Sequence, residues 1–68
     1  DILECLFQKR GIAVSRDEIA GAGWPERPND VPDQDIDQYI RRLRLKIEET
    51  PSHPTLIVTR VGYGYMIP

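Results

Sequence analysis

The sequence predicts a mostly α-helical domain that ends in a β-hairpin, and three patterns carry this prediction. An amphipathic stretch over residues 33–47 has the period of an α-helix. Ser15 to Glu18 form a capping-box pattern that opens an earlier, shorter helix. Near the end of the chain, a β-branched run at 55–59 precedes a glycine-rich turn at 61–64, which is typical of a hairpin.

The third predicted helix, over residues 33–47, is the best specified element. At about 100° per residue its apolar side chains fall on one face, an arc wide enough to dock on a core. This face comprises Ile36, Tyr39, Ile40, Leu43 and Ile47. Pro32 followed by three aspartates favours a helix start beside the positive end of the helix dipole, and Arg44 and Lys46 suit the other end.

The opposite face of this helix carries side chains that can bind nucleic-acid bases. It comprises Gln34, Gln38, Arg41, Arg42 and Leu45. Glutamine and arginine can form paired hydrogen bonds with adenine and guanine edges, so the face suits a DNA major groove. A solvated charged face is the alternative, and the helix pattern alone leaves both interpretations open.

Two shorter helices precede this one. Residues 1–8 are predicted to form a helix without an N-cap that stops before Gly11. The second helix opens at the capping box, turns Ile19 and Ala20 inward, and stops near Trp24, because two glycines weaken it. Prolines at positions 25, 28 and 32 then predict a stiff, extended loop.

The chain is predicted to end in two strands, Thr55 to Thr59 and Tyr65 to Ile67, joined by the glycine-rich turn. Two helices, a third helix with a basic stripe, and this hairpin make a three-helix winged helix-turn-helix, in which the hairpin is the wing. A chain of 68 residues suffices for one small domain. Residues 1–68 are therefore predicted to form a single winged-helix domain.

Composition limits the function classes. The net charge of −2 and the pI near 5.2 argue against indiscriminate nucleic-acid binding, which usually goes with a basic domain. A local basic helix can still face DNA, because screening at physiological salt confines the influence of each charge cluster to about 8 Å. Cys5 and His53 are single residues of their types, so no disulfide, metal site or cofactor is predicted. No segment approaches the roughly 20 apolar residues of a membrane span.

Three segments, taken in order, resemble a known family. They are VSRDEIAGAGW at 14–24, DIDQYIRRLRLKI at 35–47 and SHPTLIVTRVGYGYMI at 52–67. Together they resemble the winged-helix effector domain of the OmpR/PhoB class of bacterial response regulators over almost the whole chain. The wing pattern T-x-x-G-x-G-Y, formed here by Thr59, Gly62, Gly64 and Tyr65, is fairly specific when it follows such a helix at this distance.

The resemblance implies a mode of DNA binding. In that family the third helix reads the major groove, the wing reaches the adjacent minor groove, and the loop before the third helix can touch RNA polymerase. By resemblance, Arg16 and Trp24 fall at positions that can contact phosphates, and Thr59 matches a wing residue that touches the backbone. Three arginines of the third helix, Arg41, Arg42 and Arg44, fall at positions that contact bases or backbone. The predicted DNA-binding residues are therefore Gln34, Gln38, Arg41, Arg42, Arg44, Thr59, Arg60, Arg16 and Trp24.

Departures from the family pattern affect the expected contacts. The family usually carries a four-stranded sheet before the first helix, which this sequence lacks, so we expect the chain to be a fragment of a longer regulator. Many members have an arginine two residues after the wing threonine that enters the minor groove. This sequence has Val61 there and Arg60 one position earlier, and Tyr39 stands where a histidine is frequent.

Sequence-specific DNA binding in transcriptional regulation is the function that these observations favour. An enzyme is not predicted, since one histidine, one cysteine and scattered carboxylates supply no catalytic set. We expect a cytoplasmic bacterial regulator, tethered to a receiver or other sensory domain, two copies of which pair on tandem half-sites. The alternative is a degenerate winged helix that acts as a protein-interaction module, which the acidic balance, Val61 and the proline-rich loop would fit.

Overall fold

The computed structural model describes residues 1–68 and contains three helices and one three-stranded antiparallel sheet. The helices are α1 (Ile2–Gln8), α2 (Arg16–Gly23) and α3 (Asp33–Ile47), and the strands are β1 (Val14–Ser15), β2 (Val58–Arg60) and β3 (Gly64–Met66). The predicted fold class, mostly α with a C-terminal hairpin in a winged helix-turn-helix, is confirmed. None of the helices is long and apolar enough to cross a membrane.

Side chains close the N-termini of the first two helices. The Asp1 carboxylate accepts a hydrogen bond of 2.8 Å from the Glu4 N–H, so the predicted uncapped start of α1 is wrong. The Ser15 hydroxyl accepts one of 3.2 Å from the Glu18 N–H, which confirms the predicted start of α2. Helix α2 ends at Gly23, next to the predicted stop near Trp24.

Helix α3 begins and ends at the predicted residues and docks on the core through its apolar face. Residues Ile36 and Ile40 are fully buried there, and Leu43 and Ile47 pack against the core beside them. Tyr39, the fifth predicted member of this face, is 36% exposed at its margin. Its ring meets that of Trp24 edge to face, with the ring centroids 5.9 Å apart. The loop after α2 is therefore held against α3.

One hydrophobic core joins all three helices to the sheet. Its buried members are Ile2, Leu6, Val14, Ile19, Ala20, Ile36, Ile40, Ile57 and Tyr65. Cys5 of α1 is partly buried and packs against this cluster. Every helix and the wing thus contribute to one core, which sets the position of α3 relative to the hairpin.

The sheet has the strand order β1-β3-β2, so β3 is central and pairs with both neighbours. Strand β1 is absent from the sequence prediction, because two residues are too few to show an alternating pattern. In the wing, Thr59 lies opposite Tyr65 and Arg60 lies opposite Gly64. The hairpin is therefore anchored to the segment between α1 and α2 through β3.

Strand β2 begins at Val58, three residues later than predicted, because of Glu48, the residue that follows α3. The Glu48 carboxylate accepts hydrogen bonds of 2.8 to 3.1 Å from the backbone N–H groups of Thr55, Leu56 and Ile57. These groups are thereby paired with a side chain instead of a neighbouring strand. The segment predicted as the start of a strand is a carboxylate-bound turn.

The two wing glycines are required for different physical reasons. Gly62 has a φ of +77°, a conformation that side chains with a Cβ rarely adopt, and it forms the turn between β2 and β3. Gly64 lies so close to β1 that a Cβ atom there would stand 2.0 Å from the carbonyl oxygen of Val14. The G-x-G spacing therefore combines a tight turn with a close strand approach.

Candidate nucleic-acid interface

The outward face of α3 is free for a ligand. All five predicted residues, Gln34, Gln38, Arg41, Arg42 and Leu45, are exposed. The side chains of the two glutamines, Arg41 and Arg42 make no hydrogen bond or ion pair within the protein. Leu45 is 63% exposed at the centre of this face. Polar ligands can therefore bind the face without breaking an internal bond.

Arg42 lies at one edge of this face, beside two aromatic rings. With Asp35, Gln38, Tyr39 and Trp24 it lines a shallow cavity of about 150 Å³. Two predicted contact residues, Arg42 of α3 and Trp24 of the loop after α2, are thus brought together. The helix-turn-helix presents them on one surface.

Arg44 turns away from the outward face and binds the wing. Its Nε and Nη2 atoms donate hydrogen bonds of 3.0 and 2.8 Å to the Ile57 carbonyl oxygen. Nη2 also donates one of 2.9 Å to the Thr59 hydroxyl. Two residues predicted to contact DNA, Arg44 and Thr59, are therefore bound to each other in this structure.

Arg16 is also engaged within the protein. Its Nε and Nη2 atoms lie 3.3 Å from the Asp37 carboxylate, which also accepts a hydrogen bond from the Tyr65 hydroxyl. The guanidinium carbons of Arg16 and Arg44 each lie 5.4 Å from the centre of the Tyr65 ring. Burial and the neighbouring Asp37 carboxylate raise the pKa of Tyr65, so the phenol stays protonated and donates.

The tip of the wing is exposed to solvent. Arg60 is exposed and has no ion pair, and Val61 is 95% exposed. Val61 therefore does not pack against α3. Tyr63 is 52% exposed on the same turn. The tip presents one cation and two apolar side chains to solvent.

Acidic side chains lie before and at the start of α3, and basic ones lie further along the helix. Acidic residues occupy the loop before α3 and its first turn, at Glu26, Asp30, Asp33 and Asp35. Arg42 lies seven residues after Asp35, about 10 Å along the helix axis, and the two side chains line the same shallow cavity without forming an ion pair. Because neither Arg41 nor Arg42 is neutralised by an ion pair, this part of α3 can present a positive potential on an acidic chain. No group of three or more His, Cys, Asp or Glu side chains is placed to hold a metal ion.

Three side chains hold this region together through hydrogen bonds that the sequence does not predict. Asp37, Tyr65 and Glu48 bind partners that lie 7 to 28 residues away in the chain. Helical periodicity places Asp37 only on the border between the two faces of α3, and Tyr65 is visible only as a member of the wing pattern. No local pattern identifies their partners.

Comparison with known proteins agrees with this architecture. The family described as "Transcriptional regulatory protein, C terminal" matches residues 1–67. A probable transcriptional regulator ycf27 of Cyanophora paradoxa is 44% identical over 68 residues, covering 96% of this chain and 28% of that protein. The ycf27 protein of Porphyra purpurea is 43% identical, covering 96% of this chain and 27% of its own length. The "DNA-binding dual master transcriptional regulator RpaA" of Synechocystis is 37% identical, covering 98% of this chain and 27% of that regulator.

The chain thus spans little more than a quarter of the length of these relatives. Within that span, the family match covers all three helices and the wing. The resemblance inferred from the wing pattern and the third helix is confirmed. This chain belongs to the family of C-terminal domains of transcriptional regulatory proteins, the OmpR/PhoB-type effector domains of response regulators.

Proposed function

We propose that the chain binds specific sequences of duplex DNA, with α3 in the major groove and the wing at the adjacent minor groove. DNA binding in transcription regulation is the function of the family to which the chain belongs. The observation that carries the finer proposal is the outward face of α3, where two glutamines and two arginines are exposed and have no internal partner. Glutamine and arginine are side chains that can form paired hydrogen bonds with adenine and guanine edges.

The outward face divides into base-reading and backbone-binding positions. Gln34, Gln38 and Arg42 are proposed to bind base edges, and Arg41 to bind phosphate. Leu45 is the one apolar side chain of the face, and its 63% exposure leaves it free to pack on a thymine methyl group. This assignment gives the face both polar and apolar readout.

Residues around this face complete the proposed contacts. Arg60 and Thr59 are proposed to bind the backbone or the minor-groove edge from the wing. Trp24 and Arg16 are proposed to bind phosphates, Arg16 through the Nη1 group that makes no bond to Asp37.

A salt titration with DNA tests this proposal. The protein is titrated into a labelled random-sequence duplex at about 50 and 200 mM salt, because neutralising phosphates makes affinity fall steeply between these concentrations. We expect such a fall, and a shallower one for Arg41→Ala. Arg10→Ala is the matched control, because Arg10 is not a proposed DNA contact. It lies instead at an apolar groove with Leu3 and Phe7 of α1. Absence of binding by the folded protein at low salt would contradict the proposal.

The second candidate function, a protein-interaction module, is carried by that same groove. It has a volume of about 400 Å³ and is lined mainly by Leu3, Phe7, Ile47, Leu56 and Ile67. Phe7 and Leu56 are exposed there, at 62% and 47%. A folded chain that binds no DNA at low salt would favour this function.

The whole regulator is proposed to be longer than this chain. By its family, it carries a receiver domain, acts in the cytoplasm and pairs on tandem DNA sites. The loop over residues 24–32, with three prolines and exposed charges, is proposed as a contact for RNA polymerase. An affinity measurement between polymerase and variants of this loop tests that contact separately from DNA binding.

A further inference from the structure

The Arg44 side chain is fixed by hydrogen bonds within the protein, which an arginine that only contacts DNA does not require. Three hydrogen bonds join its Nε and Nη2 atoms to the Ile57 carbonyl and the Thr59 hydroxyl. Two parallel N–H groups on one carbonyl use the planar fork of the guanidinium, which pre-organises this side chain. Arg44 is also half-buried, whereas Arg41 and Arg42 are exposed.

The position of Arg44 on α3 explains this difference. Ile36 marks the centre of the inward face of α3. At about 100° per residue, Arg44 is rotated roughly 80° from Ile36 around the helix axis, whereas Leu45 is rotated about 180°. Arg44 therefore points to the flank of the helix, beside β2. Its guanidinium contacts the wing and does not lie on the outward face.

The wing needs contacts beyond its own strand pairing to be held in place. Strand β2 is at the edge of the sheet, has three residues and pairs only with β3. A short hairpin is marginally stable without further packing. Arg44 binds one residue before β2 and one within it, and its guanidinium stacks on Tyr65 of β3, so it contacts both strands.

The same tyrosine links the wing to the other DNA-facing elements. The Tyr65 hydroxyl donates to Asp37 of α3, and Asp37 also accepts from Arg16 of α2. One network of five side chains, completed by Arg44 and Thr59, therefore joins α2, both halves of α3 and both wing strands. We propose that Arg44 is a positioning residue that holds the wing at a fixed place beside α3, so that the two elements engage neighbouring grooves as one unit.

This role rests on the proposed function, and a double-mutant cycle separates it from a direct contact. The wild-type protein first selects its preferred duplex from a random-sequence pool, and affinities of the variants are measured on this selected duplex. If Arg44 acts through the wing, Arg44→Ala and Arg60→Ala each weaken binding about tenfold, and the double variant is no weaker than either. Multiplication of the two losses, or an unchanged affinity of Arg44→Ala, would overturn the proposal.

A conservative variant distinguishes positioning from charge. Lysine keeps the charge of Arg44 but lacks the planar fork, so it cannot make the paired bonds to Ile57. We expect Arg44→Lys to lose about as much affinity as Arg44→Ala. Near wild-type affinity of Arg44→Lys would indicate a phosphate contact and overturn the positioning role.

The mobility of the wing in the free protein tests the role of Arg44 even if the chain binds no DNA. Backbone amide order parameters at Val61 and Gly62 are measured by NMR relaxation in the free protein. They are expected to fall in Arg44→Lys and to stay unchanged in Arg41→Ala, an exposed arginine on the same helix. Unchanged order parameters in Arg44→Lys would overturn the proposal even if the wild-type protein bound no DNA.

Discussion

Three arginines within four positions of α3 have three different surroundings. Arg41 is exposed without a partner, Arg42 lies beside two aromatic rings, and Arg44 is bound to the wing. The helical period predicts the outward directions of Arg41 and Arg42, because it depends only on spacing within α3. It does not predict the partners of Arg44, because Ile57 and Thr59 lie 13 and 15 residues later in the chain.

Leu45 provides a prediction at the scale of one methyl group. If it packs on a thymine, replacing that thymine by uracil in the selected duplex removes the contact and weakens wild-type binding by about 1 kcal/mol. Leu45→Ala should weaken binding to the thymine duplex and make the protein indifferent to the replacement. Titrations of both proteins with both duplexes measure this coupling. Equal sensitivity of the two proteins to the replacement at every thymine would contradict the contact.

At the scale of elements, local patterns predict α2 and α3 well, because capping and helical periodicity act within a few residues. The start of β2 is predicted wrongly for a non-local reason. Thr55 begins a β-branched run, but its N–H group and the next two are bound by the carboxylate of Glu48. Thr55 lies seven positions after Glu48, and neither residue is within a helix or strand, so a helical or strand pattern does not predict this bond.

Glu48 is expected to stabilise the junction between α3 and the wing. Burial raises the pKa of its carboxyl, but hydrogen bonds from the Ile57, Thr55 and Leu56 N–H groups and the charge of Arg44 outweigh burial, so the pKa lies below its usual value. Glu48→Ala leaves these N–H groups without their acceptor and should lower the free energy of unfolding by about 2 kcal/mol. Chemical denaturation measures this change. Glu49→Ala, at the exposed neighbouring residue, is the control and should change it by less than about 0.5 kcal/mol.

The lowered pKa of Glu48 also predicts a pH dependence of stability. A carboxyl whose pKa is lower in the folded state contributes stability above its unfolded pKa of about 4.3, and loses it as the pH falls through the folded value. The stability difference between wild type and Glu48→Gln should therefore shrink as the pH is lowered from about 7 to about 3. A difference that stays constant over this range would contradict the assignment.

The tip of the wing gives the third expectation at this scale. Val61 is 95% exposed, so replacing it removes no buried apolar surface. An arginine there would gain from the enhanced negative potential of a narrow minor groove. Val61→Arg should therefore tighten DNA binding at an unchanged melting temperature, whereas Val61→Gln, which adds no charge, should not. Unchanged affinity of Val61→Arg would show that the wing tip does not reach DNA.

At the scale of the whole molecule, net charge is a poor guide to the partner. The chain carries 9 basic and 11 acidic residues, yet the arginines at positions 41, 42 and 60 are exposed and have no ion-pair partner. The sequence predicts the fold class because amphipathic periods and turn residues are local. The network around Tyr65 requires the folded chain, since its members come from α2, α3 and β3.

The central claim, that α3 reads base edges, is tested most directly by comparing affinities for the selected duplex and a shuffled duplex at one salt concentration. Arg42→Ala should lose about 1 to 3 kcal/mol on the selected duplex and relax the preference at one base pair. Arg41→Ala, the matched control on the same face, should weaken binding to both duplexes by the same factor. If both folded variants bind both duplexes as the wild type does, α3 does not read DNA in the way proposed.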